Sequence, residues 1–348
     1  MKKILIVLVT FSLFTSCKKE ENQARINGNG ENSIISEKDS LLQNDTILTD
    51  VPQDLSLQKT DDGSYTFRYN LKKGETYPFL LKVNMVQSMS DGRQTQKLTN
   101  SRTTEMAYFV EDVTPNSFKI KATFKSFSED FNSPEGENLS YNTNSPQPKD
   151  KDIAQNWKIY KALTGETYQI EIDNKGKVLK VNGLDKVTST VQSKLKNDFS
   201  AEEQKLLGEL LKGTLNSEFI KMQFEEILNI FPDKSMKIGD EWEDSQNISE
   251  GPIKGTNKVT RTFKSINGNT ATIAVNGIQN VNGKETQEGV TLSLSNNATL
   301  NGTIDLDLAS GWIKKVNLTK TETVKQTMEG QGQKQTMTQT STTKTTVN

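Results

Sequence analysis

Apolar and polar residues alternate over much of the chain, the period of strands with one buried face and one wet face. Tyr65, Phe67 and Tyr69 alternate with Thr66 and Arg68. Phe79, Leu81, Val83 and Met85 do so again, and Phe118, Ile120, Ala122 and Phe124 are separated by Lys119, Lys121 and Thr123. Ile170 and Ile172 flank Glu171. The pattern predicts an antiparallel sheet covered on one side. In the middle of the chain the period changes. Leu184, Val187, Val191 and Leu195 recur at helical spacing, and Ser200 with Glu203 forms a capping box ahead of Leu206, Leu207, Leu210 and Leu211. Asn216 is placed to cap a third helix carrying Ile220, Phe224, Ile227, Leu228 and Phe231. Gly213 reads as the stop of the second helix and Pro232 as the stop of the third. Strands resume after Pro232. The last 28 residues, from Thr321, hold 10 threonines. That content favours two strands turning at Gly330-Gln331-Gly332 over the alternative, a disordered Thr and Gln tail.

Parts of the strand pattern repeat. Leu71-Lys72-Lys73-Gly74-Glu75-Thr76-Tyr77 and Met236-Lys237-Ile238-Gly239-Asp240-Glu241-Trp242 share an apolar residue, a Gly-acid pair and an aromatic. Gly165-Glu166-Thr167-Tyr168 carries the Gly-acid-aromatic part a third time. The turns at 113–117 and 266–270 correspond, as do those at Asp173-Asn174-Lys175-Gly176 and Ser310-Gly311. The order is the same in both halves. Two β-meanders are therefore expected, with a helical segment between them and each Gly serving a turn that needs positive φ. The fold class is α+β, mostly antiparallel β, the two meanders forming a curved sheet or a sandwich.

The N-terminus has a different character. Met1-Lys2-Lys3 precedes an apolar run from Ile4 to Phe14, too short to span a bilayer but right for a secretory segment. Leu13 lies four residues before Cys17 and Ser16 one before it, the spacing of a bacterial lipobox. Cys17 is the single cysteine of the chain, and the lipobox makes it the expected lipidation site. The residues after it, to about 55, are rich in Asn, Ser, Glu, Asp and Lys and have no aromatics, so they read as a flexible tether. The expected organisation is a signal peptide at 1–16, lipidated Cys17 with tether at 17–55, a first β-meander at 56–182, a helical insert at 183–231 and a second β-meander at 232–348.

Composition then narrows the chemistry. The chain has no histidine, so His-based triads and metal sites are excluded. With 43 basic and 44 acidic residues, spread along the chain, it has no field for nucleic acid. No phosphate loop, calcium loop or nucleophile elbow appears. The one acidic group worth weighing is Asp240, Glu241, Glu243 and Asp244 around Trp242, since glycoside hydrolysis needs two carboxylates about 5–10 Å apart. Among 44 acidic residues such a cluster is expected at a solvated strand end. No enzymatic activity and no cofactor are expected.

The lipobox at Cys17, the strand starts at Gly74-Glu75 and Gly239-Asp240, and the hairpins at Asp173–Val178 and Ala309–Ile313 resemble an uncharacterised family of secreted Gram-negative lipoproteins with a domain of unknown function. The combination of a wide antiparallel sheet with helices is also similar to lipoprotein-carrier half-barrels. The first resemblance implies a protein anchored to the outer membrane through lipid on Cys17, on its periplasmic face or at the cell surface. The expected role is a non-enzymatic interaction or structural module, with an envelope protein as partner. The alternative is a carrier of a lipid or other apolar ligand between sheet and helices. Its lining would be drawn from Phe79, Leu81, Phe118, Ile120, Phe124, Phe219, Phe224 and Ile227. A void above ~300 Å3, the lower size of ligand pockets, would favour the carrier.

Overall fold

The computed structural model describes residues 55–348 except Glu137. Cys17, the secretory segment and the tether lie outside the described residues. The chain opens with a two-stranded ribbon, β1 (Leu57–Lys59) and β2 (Tyr65–Phe67). The first meander follows: β3 (Thr76–Ser90), β4 (Thr95–Val113), β5 (Ser117–Asn132), β6 (Asn138–Asn142), helix α1 (Lys151–Leu163), β7 (Thr167–Asp173) and β8 (Val178–Asn182). Three helices come next, α2 (Leu184–Lys194), α3 (Ala201–Thr214) and α4 (Ser217–Leu228). The second meander is β9 (Glu241–Glu250), β10 (Ile253–Asn267), β11 (Thr270–Gln287), β12 (Val290–Asp307), β13 (Ile313–Gly330) and β14 (Gln333–Val347).

All strands but the ribbon join one antiparallel sheet in the order β8-β7-β5-β4-β3-β14-β13-β12-β11-β10-β9, with β6 beside β5. The sheet is curved and does not close. The two meanders thus meet where the last strand, β14, pairs with β3 in the register Val347–Leu81. Of the two expected arrangements the curved single sheet is the one formed, because this junction makes the halves continuous instead of stacking them. One register row shows how the core forms: Phe263, Ile273, Ile304, Val316, Val347 and Leu81 are successive cross-strand partners, so their side chains share a face. The Thr-rich C-terminal hairpin is ordered, and its turn falls at the expected residues.

The repeat in the sequence is a repeat in hydrogen bonds. The Gly74 N–H donates to Val110 O (2.9 Å), the Val110 N–H to Glu75 O (3.0 Å), and the Glu75 N–H closes a turn on Lys72 O. Gly165, Phe124, Glu166 and Leu163 form the same set, as do Gly239, Phe263, Asp240 and Lys237. All three glycines have positive φ, from 85° to 99°. In each case the residue after the partner, Glu111, Lys125 or Lys264, is skipped in the register with the next strand. The motif therefore starts a strand beside a bulge that bends its neighbour.

Several expectations need correction. Residues 56–75 are not part of the first meander. The ribbon and the segment after it lie across the sheet's two halves: the Tyr69 N–H donates to Asn174 O, the Asn70 N–H to Ser310 O, and the Tyr69 hydroxyl to Leu228 O. Helix α1, inside the first meander, has no counterpart in the expected organisation. Gly213 does not stop α3, which runs to Thr214. The Asn216 amide instead donates to Lys212 O and Gly213 O while its Oδ1 accepts from the Phe219 N–H, so one side chain closes α3 and caps α4. The third helix ends at Leu228, before Pro232, leaving Ile230 and Phe231 buried in an extended segment. The capping box of Ser200 and Glu203 forms as expected.

Candidate functional site

The helices do not pack evenly on the sheet. Between α1, α3 and α4 and the first meander lies a cavity of about 250 Å3. Every lining residue belongs to β3–β7, to these helices or to the α3–α4 connection, and none to the second meander. The inner wall is set by strand alternation: Phe79 on β3, Met106 and Tyr108 on β4, Phe124 and Phe127 on β5 and Tyr168 on β7 all point to the helical side. Helical spacing sets the opposite wall, with Leu211 near the end of α3, Leu215 just after it, and Ile220, Phe224, Ile227 and Leu228 from α4. Half-buried Leu81, Val83, Phe219 and Gln223 form its more accessible part. The volume lies just under the ~300 Å3 at which ligand pockets begin.

Six of the eight residues expected to line such a site do so: Phe79, Leu81, Phe124, Phe219, Phe224 and Ile227. Phe118 and Ile120 do not. They share the inward face of β5 with Phe124, but stand farther along it beside Ile172 and Ile170, in the buried core, and Ile120 is wholly buried. Alternation gives the face a residue points to, not whether that face is filled at that point.

One end of the cavity is polar, and the sequence reading did not find it. Val83, Arg102, Glu129 and Tyr141 are successive partners in one register row across β3, β4, β5 and β6. Arg102 Nε donates to Glu129 Oε1 at 2.7 Å, Asn100 Nδ2 donates to the same oxygen at 3.0 Å, and the Tyr141 hydroxyl donates to Glu129 Oε2 at 3.2 Å. The Glu129 side chain is 4% exposed and that of Arg102 19%. Tyr141 stacks on Tyr160 of α1, and both rings, with Arg102, belong to the cavity wall. Burial, reinforced by Tyr160 and the Glu129 charge, drives the Tyr141 hydroxyl far above its ordinary range, and burial also raises Tyr160, Tyr108 and Tyr168. These hydroxyls stay neutral donors at any physiological pH. The signal in the sequence was a charge in apolar phase: Glu129 stands between Phe127 and Phe131, and Arg102 keeps the phase of Met106 and Tyr108.

The acidic group around Trp242 is dispersed. Asp240 precedes β9, and Glu241, Glu243 and Asp244 lie on its two faces. Glu243 pairs with Lys258, Asp244 with Arg261, Asp240 accepts the Lys237 N–H, and Glu241 accepts from Thr262. Trp242 turns inward and donates its indole N–H to Ile230 O. Among the described residues no group of three or more His, Cys, Asp or Glu is placed to hold a metal, and no helix is long and apolar enough to cross a membrane.

Fold and cavity define the class: a single long antiparallel sheet with a helical insert that encloses an apolar pocket over one half. The chain belongs to a family of unknown function, DUF6263, whose profile matches residues 115–313, from β5 through the insert to the start of β13. No curated protein sequence matches it significantly. Among solved structures, lipovitellin, described for its lipid–protein interactions, is similar over 80% of this chain at 11% identity and a TM-score of 0.38; the match spans 25% of the lipovitellin chain. An outer membrane channel from Pseudomonas putida F1 is similar over 80% of this chain and 97% of its own at 8% identity, with a TM-score of 0.16. At these scores the likeness assigns no function.

Proposed function

We propose that this protein is a lipid-anchored envelope protein whose folded part binds an apolar ligand, without catalysis, in the cavity between the first meander and the helices. The observation that carries the reading is the apolar lining that sheet and helices share; the volume, about 250 Å3, stays under the ~300 Å3 at which ligand pockets begin. The cavity walls come from the sheet and the helices and are mostly apolar, with Arg102, Thr104, Thr214 and Gln223 among the polar residues that line it. The expected lipobox at Cys17 supplies the anchor. Native mass spectrometry of the chain purified from its host tests the binding: an apolar molecule should co-purify, and Phe219→Trp, which adds volume at the rim, should reduce its occupancy. A chain that is ligand-free under all conditions and indifferent to Phe219→Trp refutes the reading. Labelled palmitate tests the anchor separately. It should enter the unaltered chain and not Cys17→Ala.

A second reading, a surface interaction module, draws on a different observation. Leu292 and Met328 are register partners on β12 and β13, and both are more than half exposed. Such a pair on a sheet face favours a protein partner. A ligand-free chain that captures a defined envelope protein, and loses it with Leu292→Ser, would support this reading over the first.

A further inference from the structure

The polar end of the cavity specifies more than an apolar guest. We infer that the cavity takes a single-chain fatty acid, with its carboxylate held by Arg102 and its alkyl chain running between Phe79, Phe124 and α4. The inference rests on the ligand-binding reading above and adds the head group.

Three observations support it. First, a buried ion pair is a poor way to fill a core, because desolvating both charges offsets most of their attraction, and apolar replacements are often neutral or stabilising. Arg102, ion-paired to the buried Glu129, nevertheless lines a mostly apolar cavity. Second, Glu129 is already occupied: its two oxygens accept from Asn100, Arg102 and Tyr141. Its hydrogen bond with Arg102 is made by Nε. A guanidinium has five N–H donors in a rigid fork, so the terminal amino groups remain to meet an acceptor from the cavity side. Third, that geometry suits a carboxylate, which accepts two parallel N–H bonds from Arg at once, whereas a hydroxyl head offers only one small oxygen. The size of the cavity limits the guest to one chain of modest length, since about 250 Å3 leaves no room for two.

The test compares two probes of equal chain length, decanoate and decanol, titrated calorimetrically into the full chain carrying Cys17→Ser so that no acyl group is attached. Decanoate should bind at least tenfold more tightly than decanol. Arg102→Lys keeps a cation for Glu129 but loses the fork, and it should remove that preference, bringing the decanoate-to-decanol affinity ratio close to one. If decanol binds as well as decanoate, or if folded Arg102→Lys keeps the preference, the carboxylate is not at Arg102 and this inference fails while the cavity reading stands. If neither probe binds, both fail. Should Arg102→Lys not fold, as judged by circular dichroism, the decanoate-to-decanol ratio on the unaltered cavity decides alone.

Discussion

Tyr108 on β4 meets Phe224 on α4 edge to face, with ring centroids 5.7 Å apart and planes at 84°. Tyr108 also lies against Phe79 and Trp312, so this contact ties the helical insert to both meanders. Aromatic pairs in this geometry add stabilisation beyond their buried area. Phe224→Ala should therefore cost about 3–5 kcal/mol, as large core truncations do. Leu210 also lines the cavity but is half-buried, and its side chain already faces a void. Leu210→Ala should cost at most about 1–2 kcal/mol, because little packing is lost. Denaturant unfolding of the two variants checks the contrast. Equal losses would mean that α3 and α4 seal the site equally well.

The three Gly-acid strand starts make a paired prediction with a fourth glycine. A Cβ at Gly74, Gly165 or Gly239 would meet nothing within 4 Å, so only the positive φ opposes it. Alanine at each should cost about 1–2 kcal/mol, the penalty of left-handed backbone. Gly176 has φ 91°, and a Cβ there would stand 2.3 Å from Leu228 O and 2.8 Å from the Tyr69 ring. Gly176→Ala should be clearly the worst of the four in thermal unfolding, because it forces apart the ribbon segment and the end of α4. Equal effects at all four positions would refute the close approach.

Alkaline pH offers a check on burial. The Tyr77 hydroxyl is pushed up to about 12, first by burial and then by the neighbouring Glu75 carboxylate to which it donates, against an opposing bond from the Lys72 N–H. An unfolded tyrosine titrates near 10. The folded state holds the proton more tightly, so the stability from this group is complete below pH ~10 and is lost as pH rises from there toward 12. Melting temperature should be flat on this account up to about pH 10 and fall above it. Tyr77→Phe should soften the fall. A steady melting temperature across that window would contradict the burial.

Much of the fold was legible because strand alternation, caps and Gly-acid turns are local. Ser200, Glu203 and Asn216 could be placed as caps without knowing what their helices touch. The Gly74, Gly165 and Gly239 motifs could be aligned because the same turn chemistry is written three times. What was not legible depends on distant partners. Helix α1 announces itself only by Asp150 ahead of Ile153, Ala154, Trp157 and Tyr160, a short stripe diluted by polar residues. Phe118 and Phe124 have the same phase and chemistry, and only their positions along β5, one beside Ile172 and the other at the cavity, separate them. Arg102 and Glu129 are 27 residues apart, and the β4–β5 register is what brings them together.

That register logic extends to the chain's end. β14 is interior to the sheet, bonded to β13 on one side and β3 on the other. The pairing reaches its last residues: Leu80 and Asn348 exchange both backbone hydrogen bonds at 3.2 Å. Within an interior strand every backbone N–H serves one neighbour or the other. Thr342→Pro, opposite Val86 and Thr321, would therefore remove a ladder bond and leave a carbonyl unpaired, costing at least about 1–3 kcal/mol. Deleting residues 333–348 would do more. It would leave β3 and β13 as exposed edges and sever the only strand pairing between the meanders among the described residues. The truncated chain should lose its single cooperative thermal transition and associate through its open edges, as read by calorimetry and light scattering. A monomeric truncated chain with an unchanged transition would show that the ribbon and helices alone hold the halves together.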